Sequence, residues 1–207
     1  MILPAGFYRR PTLDVAADLI GKVLVRSGGR GGGFRLSGTI VETEAYIGED
    51  DLACHASRGR TARTAVMYGP AGRSYVYLIY GMYCCLNAVT EDPGFPAAVL
   101  IRAIEPLEGI ERMMRNRNGN KRTTELGSGP GKLCQAMAID RDLNGADLTG
   151  PELWIEDRGI QPGPIRTSPR IGVDYAGAYR DKPWRMFVDG SAHVSKRPSQ
   201  DNTWRKL

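Results

Sequence analysis

The first run of hydrophobic positions along the chain has a helical period. In DVAADLIGKVLVR, from Asp14 to Arg26, Val15, Leu19 and Ile20 recur at helix spacing and Gly21 marks a stop. VLVR then starts a strand. A glycine-rich turn, SGGRGGGFR, leads into a second strand, RLSGTIVETEAY, so the pair predicts a hairpin with an elastic tip. The glycines at 28–33 lack the spacing and the lysine of a P-loop, which makes a flexible loop the better reading than a phosphate cradle.

Residues 47–72 show no clear periodicity and are rich in Gly, Ala, Arg and Thr, with His55 among them. A segment of that length without a pattern, inside a compact domain, points to function. The strand YVYLIYGMY and its continuation CCLNAVT follow, then a turn, EDPGFP, and the apolar run AAVLIRAIEP of a buried strand. EGIERMMRNRNG predicts a helix closed at Gly119, KRTTELG a polar connection, and SGPGKLCQAMAI a helix entered through Gly-Pro. DLTGPELWIED, PRIGVDYAG and PWRMFVDG read as short strands or turns, and the tail from about residue 195 as polar and frayed. No repeat or low-complexity linker divides residues 1–207. The pattern predicts a single mixed α+β domain with mostly antiparallel strands.

Alternation in IVETEAY puts Ile40, Glu42, Glu44 and Tyr46 on one strand face and Val41, Thr43 and Ala45 on the other. For Glu42 a solvated outer face is the expectation. For Glu44, beside Tyr46, a cleft and a solvated face stand level. Arg102 interrupts an apolar strand and needs a partner if buried, for which Glu44 is a candidate. Such a pair is either structural or holds a water. A carboxylate that positions water and faces a cationic transition state is what hydrolysis of an N-glycosidic bond requires.

Composition changes this picture little. Net charge is +5, pI about 9.1, and arginine outnumbers lysine. That balance suits phosphate contacts, although solubility alone explains a charge of this size. No run approaches the ~18 apolar residues of a membrane span, and the first residues lack a signal-peptide pattern. Four cysteines without a C-x-x-C pair, and two histidines, argue against a metal site and for buried thiols in a reducing compartment. Four of the nine tyrosines crowd between Tyr75 and Tyr83. Tyrosine suits positions with one apolar and one polar end, or a ring that stacks. Stacking alone would also serve a non-enzymatic nucleic-acid binder, which has no need of Glu44 with Arg102.

VETEAYIG, D-x-A-C-H-A, G-R-T-A-R, YVYLIYGMYCCLN, VLIRAIEPLEG and GPGKLCQAMAI, in this order, resemble the alkyladenine (3-methyladenine) DNA glycosylase family from about Phe7 to Val188. The resemblance implies a single domain around a curved antiparallel sheet with flanking helices and a β-hairpin that inserts into DNA. It implies an enzyme that flips alkylated or deaminated purines from duplex DNA and cuts the N-glycosidic bond, leaving an abasic site, with no cofactor and no metal. It makes Glu44 the base that activates water, with Arg102 and the backbone carbonyl of Ile171 holding that water. Tyr46 would stack on one face of the base, His55 and Tyr77 on the other. Asn87 would disfavour the 2-amino group of guanine. Tyr80 would intercalate, with Met82 and Tyr83 beside it. Arg63, Arg73, Lys132 and Arg170 are candidate contacts to the DNA backbone. An aromatic sandwich of this kind is expected to favour cationic purines. A monomer acting on double-stranded DNA, away from membranes, in the cytoplasm (at the nucleoid of a bacterium, or in a nucleus) completes the expectation.

Overall fold

The apolar runs become strands of one open antiparallel sheet. In a computed structural model the described residues are 1–28, 33–119 and 122–195, with the backbone of 205–206. The strands are β1 (Val23–Gly28), β2 (Phe34–Ile47), β3 (Ser74–Ile79), β4 (Tyr83–Val89), β5 (Ala97–Glu108), β6 (Leu153–Glu156), β7 (Ile165–Ser168), β8 (Arg185–Val188) and β9 (Arg205–Lys206). Their order is β3-β4-β5-β2-β8-β7-β9, and β1 bridges β2 and β6. The β1–β2 hairpin forms as expected, with Gly28 opposite Phe34. Most of its glycine tip, 29–32, lies outside the described residues, as does most of the polar tail.

The helices are α1 (Ala5–Tyr8), α2 (Thr12–Asp18), α3 (Ile110–Asn116), α4 (Thr123–Leu126) and α5 (Pro130–Ala136). Val15 within α2 and Leu19 just after it, Met113 of α3 and Leu133 of α5 share one apolar core with Val76, Leu86, Val99, Ile101, Ile40 and Ala45 of the sheet. The alternate positions of the same strands therefore face the other side, where the site lies. Gly119 closes α3 as expected: its N–H reaches Met114 O at 2.8 Å with φ +70°. KRTTELG is more than a polar connection, because Leu126 is buried and α4 winds around it.

The alternation expected of IVETEAY fails at one point. Between β2 and β5 the register shifts between Ile40 and Glu42, and again on β5 around Arg102. Two successive β2 residues then face one side. Ile40 joins Ala45 in the core, and Thr43 Oγ1 donates to Ala16 O at 2.9 Å on that same side. Val41, with Thr39, lines a groove on the opposite side. The face shared by Glu42, Glu44 and Tyr46 begins at Val41, not Ile40.

Candidate active site

One row of directly paired residues crosses the sheet. Tyr75 pairs with Asn87, Asn87 with Leu100, Leu100 with Glu44, and Glu44 with Arg185. Paired residues present side chains to the same face, and Tyr75, Asn87 and Leu100 of this row floor a cavity of about 170 Å³, which Glu44 adjoins through its hydrogen-bonded neighbours in the lining, Tyr46, Arg102 and Ile171. Tyr77 and Cys85, paired on the neighbouring row, extend it. Segment 47–72 contributes Ala53, His55, Arg63 and Met67 to the walls, and the turn after β7 contributes Ile171 and Tyr175. The unpatterned segment is thus a wall built of loops and two short 3₁₀ turns, His55–Arg58 and Ala65–Tyr68.

Glu44 is fully buried. Its Oε1 accepts the Ile171 N–H at 2.7 Å. Its Oε2 accepts the Tyr46 hydroxyl at 2.8 Å and Arg102 Nη1 at 3.1 Å. The expected Glu44–Arg102 pair is therefore present. Ile171 touches Glu44 through its N–H, where the expectation concerned its carbonyl and a water.

Glu42 is not solvated. It is fully buried, because Arg102, Arg185 of β8 and Ser195 of the C-terminal segment close over it. Its Oε1 takes Arg102 Nε at 3.0 Å, Arg185 Nε at 2.6 Å and Ser195 Oγ at 2.8 Å, and its Oε2 takes the Ser195 N–H at 2.6 Å. Burial alone would raise this carboxyl, but Arg102, Arg185 and the Ser195 N–H outweigh it and hold it below its ordinary value. Arg102 bridges the two glutamates. Burial opposes its charge, and Glu44 and Glu42 more than restore it. Arg185 and Ser195 escaped the sequence reading because they lie 143 and 153 residues from Glu42. Only the buried Arg102, which needs more acceptors than one carboxylate oxygen offers, hinted at a second acid.

The aromatic walls are ordered by contacts of their own. Tyr75 is buried, and its hydroxyl meets His55 Nδ1 at 2.9 Å. The His55 ring lies 4.4 Å from Tyr77 at 75°. Burial first, and Arg63 second, push the His55 imidazole down to about 4, so it is neutral near pH 7. Asn87 is buried and donates from Nδ2 to Tyr75 O at 2.9 Å, which fixes the amide's orientation. Cys85 lines the cavity with a thiol that burial raises to about 11.

The β3–β4 hairpin projects its tip away from the core. Tyr80 is 82% exposed, Met82 70% and Tyr83 43%. Tyr80 has φ +53° and Gly81 +69°, a pair of left-handed residues at the turn. Such a cluster of large exposed apolar side chains marks a contact surface.

The candidate backbone-contact residues divide. Arg63 is exposed at the cavity mouth, 5.2 Å from the Tyr77 ring. Lys132 is exposed on α5. Arg73 faces Asp147 at 3.5 Å at the surface. Arg170 cannot meet a phosphate: it is buried and holds Asp51 at 2.6 Å. An arginine with a bidentate carboxylate 119 residues away cannot be told from a surface arginine by sequence alone.

A cavity with aromatic walls beside a buried carboxylate–arginine pair, next to an exposed aromatic hairpin tip, is a site suited to a planar heterocycle. Comparison with known proteins makes the class specific. The profile of the methylpurine-DNA glycosylase family matches residues 6–192. A protein of Methanocella arvoryzae named "Putative 3-methyladenine DNA glycosylase" is 57% identical over 97% of this chain and 98% of its own length. Proteins of the same name from Alkaliphilus oremlandii and Anaeromyxobacter are 49% and 48% identical, over 95% and 100% of this chain and 100% and 97% of their own. The chain belongs to the methylpurine-DNA glycosylase family. It is a DNA glycosylase, a hydrolase of N-glycosyl bonds that acts on DNA and opens base-excision repair.

Proposed function

We propose that this glycosylase turns a damaged purine nucleotide out of duplex DNA into the cavity and hydrolyses its N-glycosidic bond with water activated by Glu44. The observation that carries the reading is the setting of Glu44. Its Oε2 is occupied by Tyr46 and Arg102, while Oε1 accepts, among the described residues, one hydrogen bond, from Ile171 N–H. A carboxylate oxygen has two lone pairs, so Oε1 keeps one for a water.

Extrusion is required because the anomeric carbon is shielded inside the stack. It costs a few kcal/mol, and less for a damaged or mispaired base. In the scheme, the C1′–N bond breaks with its electron pair leaving on the purine. Water adds to C1′ and gives its proton to Glu44. The carboxylate also faces the positive charge that develops on the sugar. Arg102 and the Ile171 carbonyl hold the water. Tyr46 stacks on one face of the base, and His55 and Tyr77 on the other. Asn87 opposes a 2-amino group. Tyr80 fills the gap left in the duplex, flanked by Met82 and Tyr83, while Arg63, Arg73 and Lys132 meet phosphates.

No lysine lines the cavity among the described residues. This supports a water nucleophile over an amine, and so a product that is an intact strand with an abasic site. One domain grips one lesion, and no cofactor enters the scheme. The reading is tested with duplexes carrying single 3-methyladenine, hypoxanthine or ethenoadenine under single-turnover conditions. Release of free base, with strand cleavage only after alkali, is expected. No base from any of the three contradicts it.

A further inference from the structure

Arg170 lies behind the Tyr46 ring. Its guanidinium carbon is 4.7 Å from the Tyr46 centroid and 5.0 Å from that of Trp184. Its side chain is fully buried, as is that of Asp51. Arg170 is not among the residues lining the cavity, whereas Tyr46 is. The cation therefore covers the face of Tyr46 turned away from the space a base would occupy. It is held there firmly. Nη1 and Nη2 reach the two Asp51 oxygens at 2.6 and 2.8 Å, and Nη1 also donates to Ala45 O at 2.9 Å. Ala45 adjoins Tyr46 in the strand, so ring and cation are fixed to the same stretch of backbone.

A cation on one face of an aromatic ring draws the ring's electron density toward itself, since that attraction is what holds it there. A second cation on the opposite face then meets a depleted ring and a like charge behind it, in a site where charges are poorly screened. Asp51 offsets part of this. Its oxygens bind the outer nitrogens of the guanidinium, while the cationic carbon stays over the ring. A neutral purine loses nothing by the arrangement, because an electron-poorer ring stacks on it as well or better.

We propose that Arg170 tunes which damaged purines Tyr46 accepts, weakening the stacking of positively charged purines relative to uncharged ones. The aromatic sandwich by itself favours cationic, alkylated bases. Arg170 moves the balance so that one cavity serves uncharged damaged bases too. Arg170 touches neither substrate nor water, and acts through Tyr46 as a positioning and tuning residue. The proposal rests on the base-flipping reading given above.

The test is a ratio, because a merely structural Arg170–Asp51 pair would slow every substrate alike. Single-turnover base release is compared on duplexes carrying 3-methyladenine, which is cationic and has no 2-amino group to meet Asn87, and hypoxanthine, which is neutral. In Asp51→Asn/Arg170→Gln, which removes both charges together, the cationic-to-neutral rate ratio is expected to rise about three- to tenfold. Asp51→Asn alone is isosteric and leaves the Arg170 charge uncompensated, so the ratio is expected to fall. Circular dichroism reports folding, and the Asp51→Asn result alone decides the matter if the double variant does not fold. A ratio unmoved, or moved the opposite way, overturns the proposal. If the unaltered enzyme releases neither base, the base-flipping reading itself has failed.

Discussion

The Tyr46 hydroxyl donates to Glu44 Oε2 at 2.8 Å, so the ring that lines the cavity also holds the carboxylate beneath it. Burial first, and Glu44 second, push the Tyr46 phenol well above its ordinary value, which keeps it a donor. Tyr46→Phe keeps the ring and removes the hydrogen bond. A hydrogen bond to a charged group is worth about 1.5–3 kcal/mol. The single-turnover rate of base release should then fall about tenfold to a hundredfold, while duplex affinity changes little. An unchanged rate would mean that the hydroxyl does not orient Glu44.

Glu42 ties Arg102 to Arg185 and to Ser195. Glu42→Gln should destabilise the fold by about 3–5 kcal/mol, the usual cost of breaking a buried ion pair, as read from urea unfolding at pH 7. The pH dependence carries a sign. The folded carboxyl titrates below its ordinary 4.5, so its contribution is complete above pH 4.5 and is lost as pH falls through the lower folded value. The unaltered enzyme should lose stability in that acid window, and Glu42→Gln should lose less there. Parallel curves for the two would remove Glu42 from the network.

Those two glutamates show how far the sequence reaches. Glu44, Tyr46 and the Glu44–Arg102 pair follow from strand alternation and from the need of a buried cation for a partner. The exposed hairpin tip follows from the family resemblance alone: the pattern runs YVYLIYGMY as one strand, which the left-handed turn at Tyr80 and Gly81 divides. Glu42 was misassigned because Arg185 and Ser195, which cover it, lie 143 and 153 residues away, while the bulge at Val41, of which period-two alternation carries no sign, took Ile40 off that face. Arg170 was misassigned because Asp51, which buries it, lies 119 residues away. Tyr75 is a buried ring whose partner, His55, sits on a loop without a pattern, so their contact has no trace in the sequence. Local periodicity fixes faces and elements, whereas ion pairs between distant segments depend on how the sheet curves.

His55 offers a spectroscopic check on the electrostatics of the cavity. Its imidazole titrates at about 4 rather than 6.5, through burial and then Arg63. In nuclear magnetic resonance titrations its ring resonance should stay flat down to about pH 5 and move only below. Stability linked to His55 is complete above 6.5 and declines as pH falls from there toward 4. Arg63→Ala removes the second cause and should move the midpoint upward. A midpoint near 6.5 in the unaltered enzyme would mean an open, hydrated ring.

Tyr80 should matter to DNA and not to folding. Its side chain is 82% exposed, and surface changes of this kind shift stability by no more than about 0.5 kcal/mol. Tyr80→Ala is expected to weaken affinity for a duplex carrying an abasic-site analogue by about tenfold, in line with about 1–3 kcal/mol per aromatic–base stack, with the melting temperature unchanged. Fluorescence anisotropy reads the affinity. Undiminished binding would take Tyr80 out of the duplex.

The central claim is that the buried Glu44 carboxylate activates the attacking water. Glu44→Gln keeps the shape of the side chain and its acceptor oxygen, and removes the base. Single-turnover release of hypoxanthine or 3-methyladenine by this variant, measured beside its affinity for an abasic-analogue duplex, separates chemistry from binding. The account predicts a loss of release of at least about a thousandfold, within the 10²–10⁴-fold that general base catalysis supplies, with affinity retained. Release at close to the unaltered rate would contradict it.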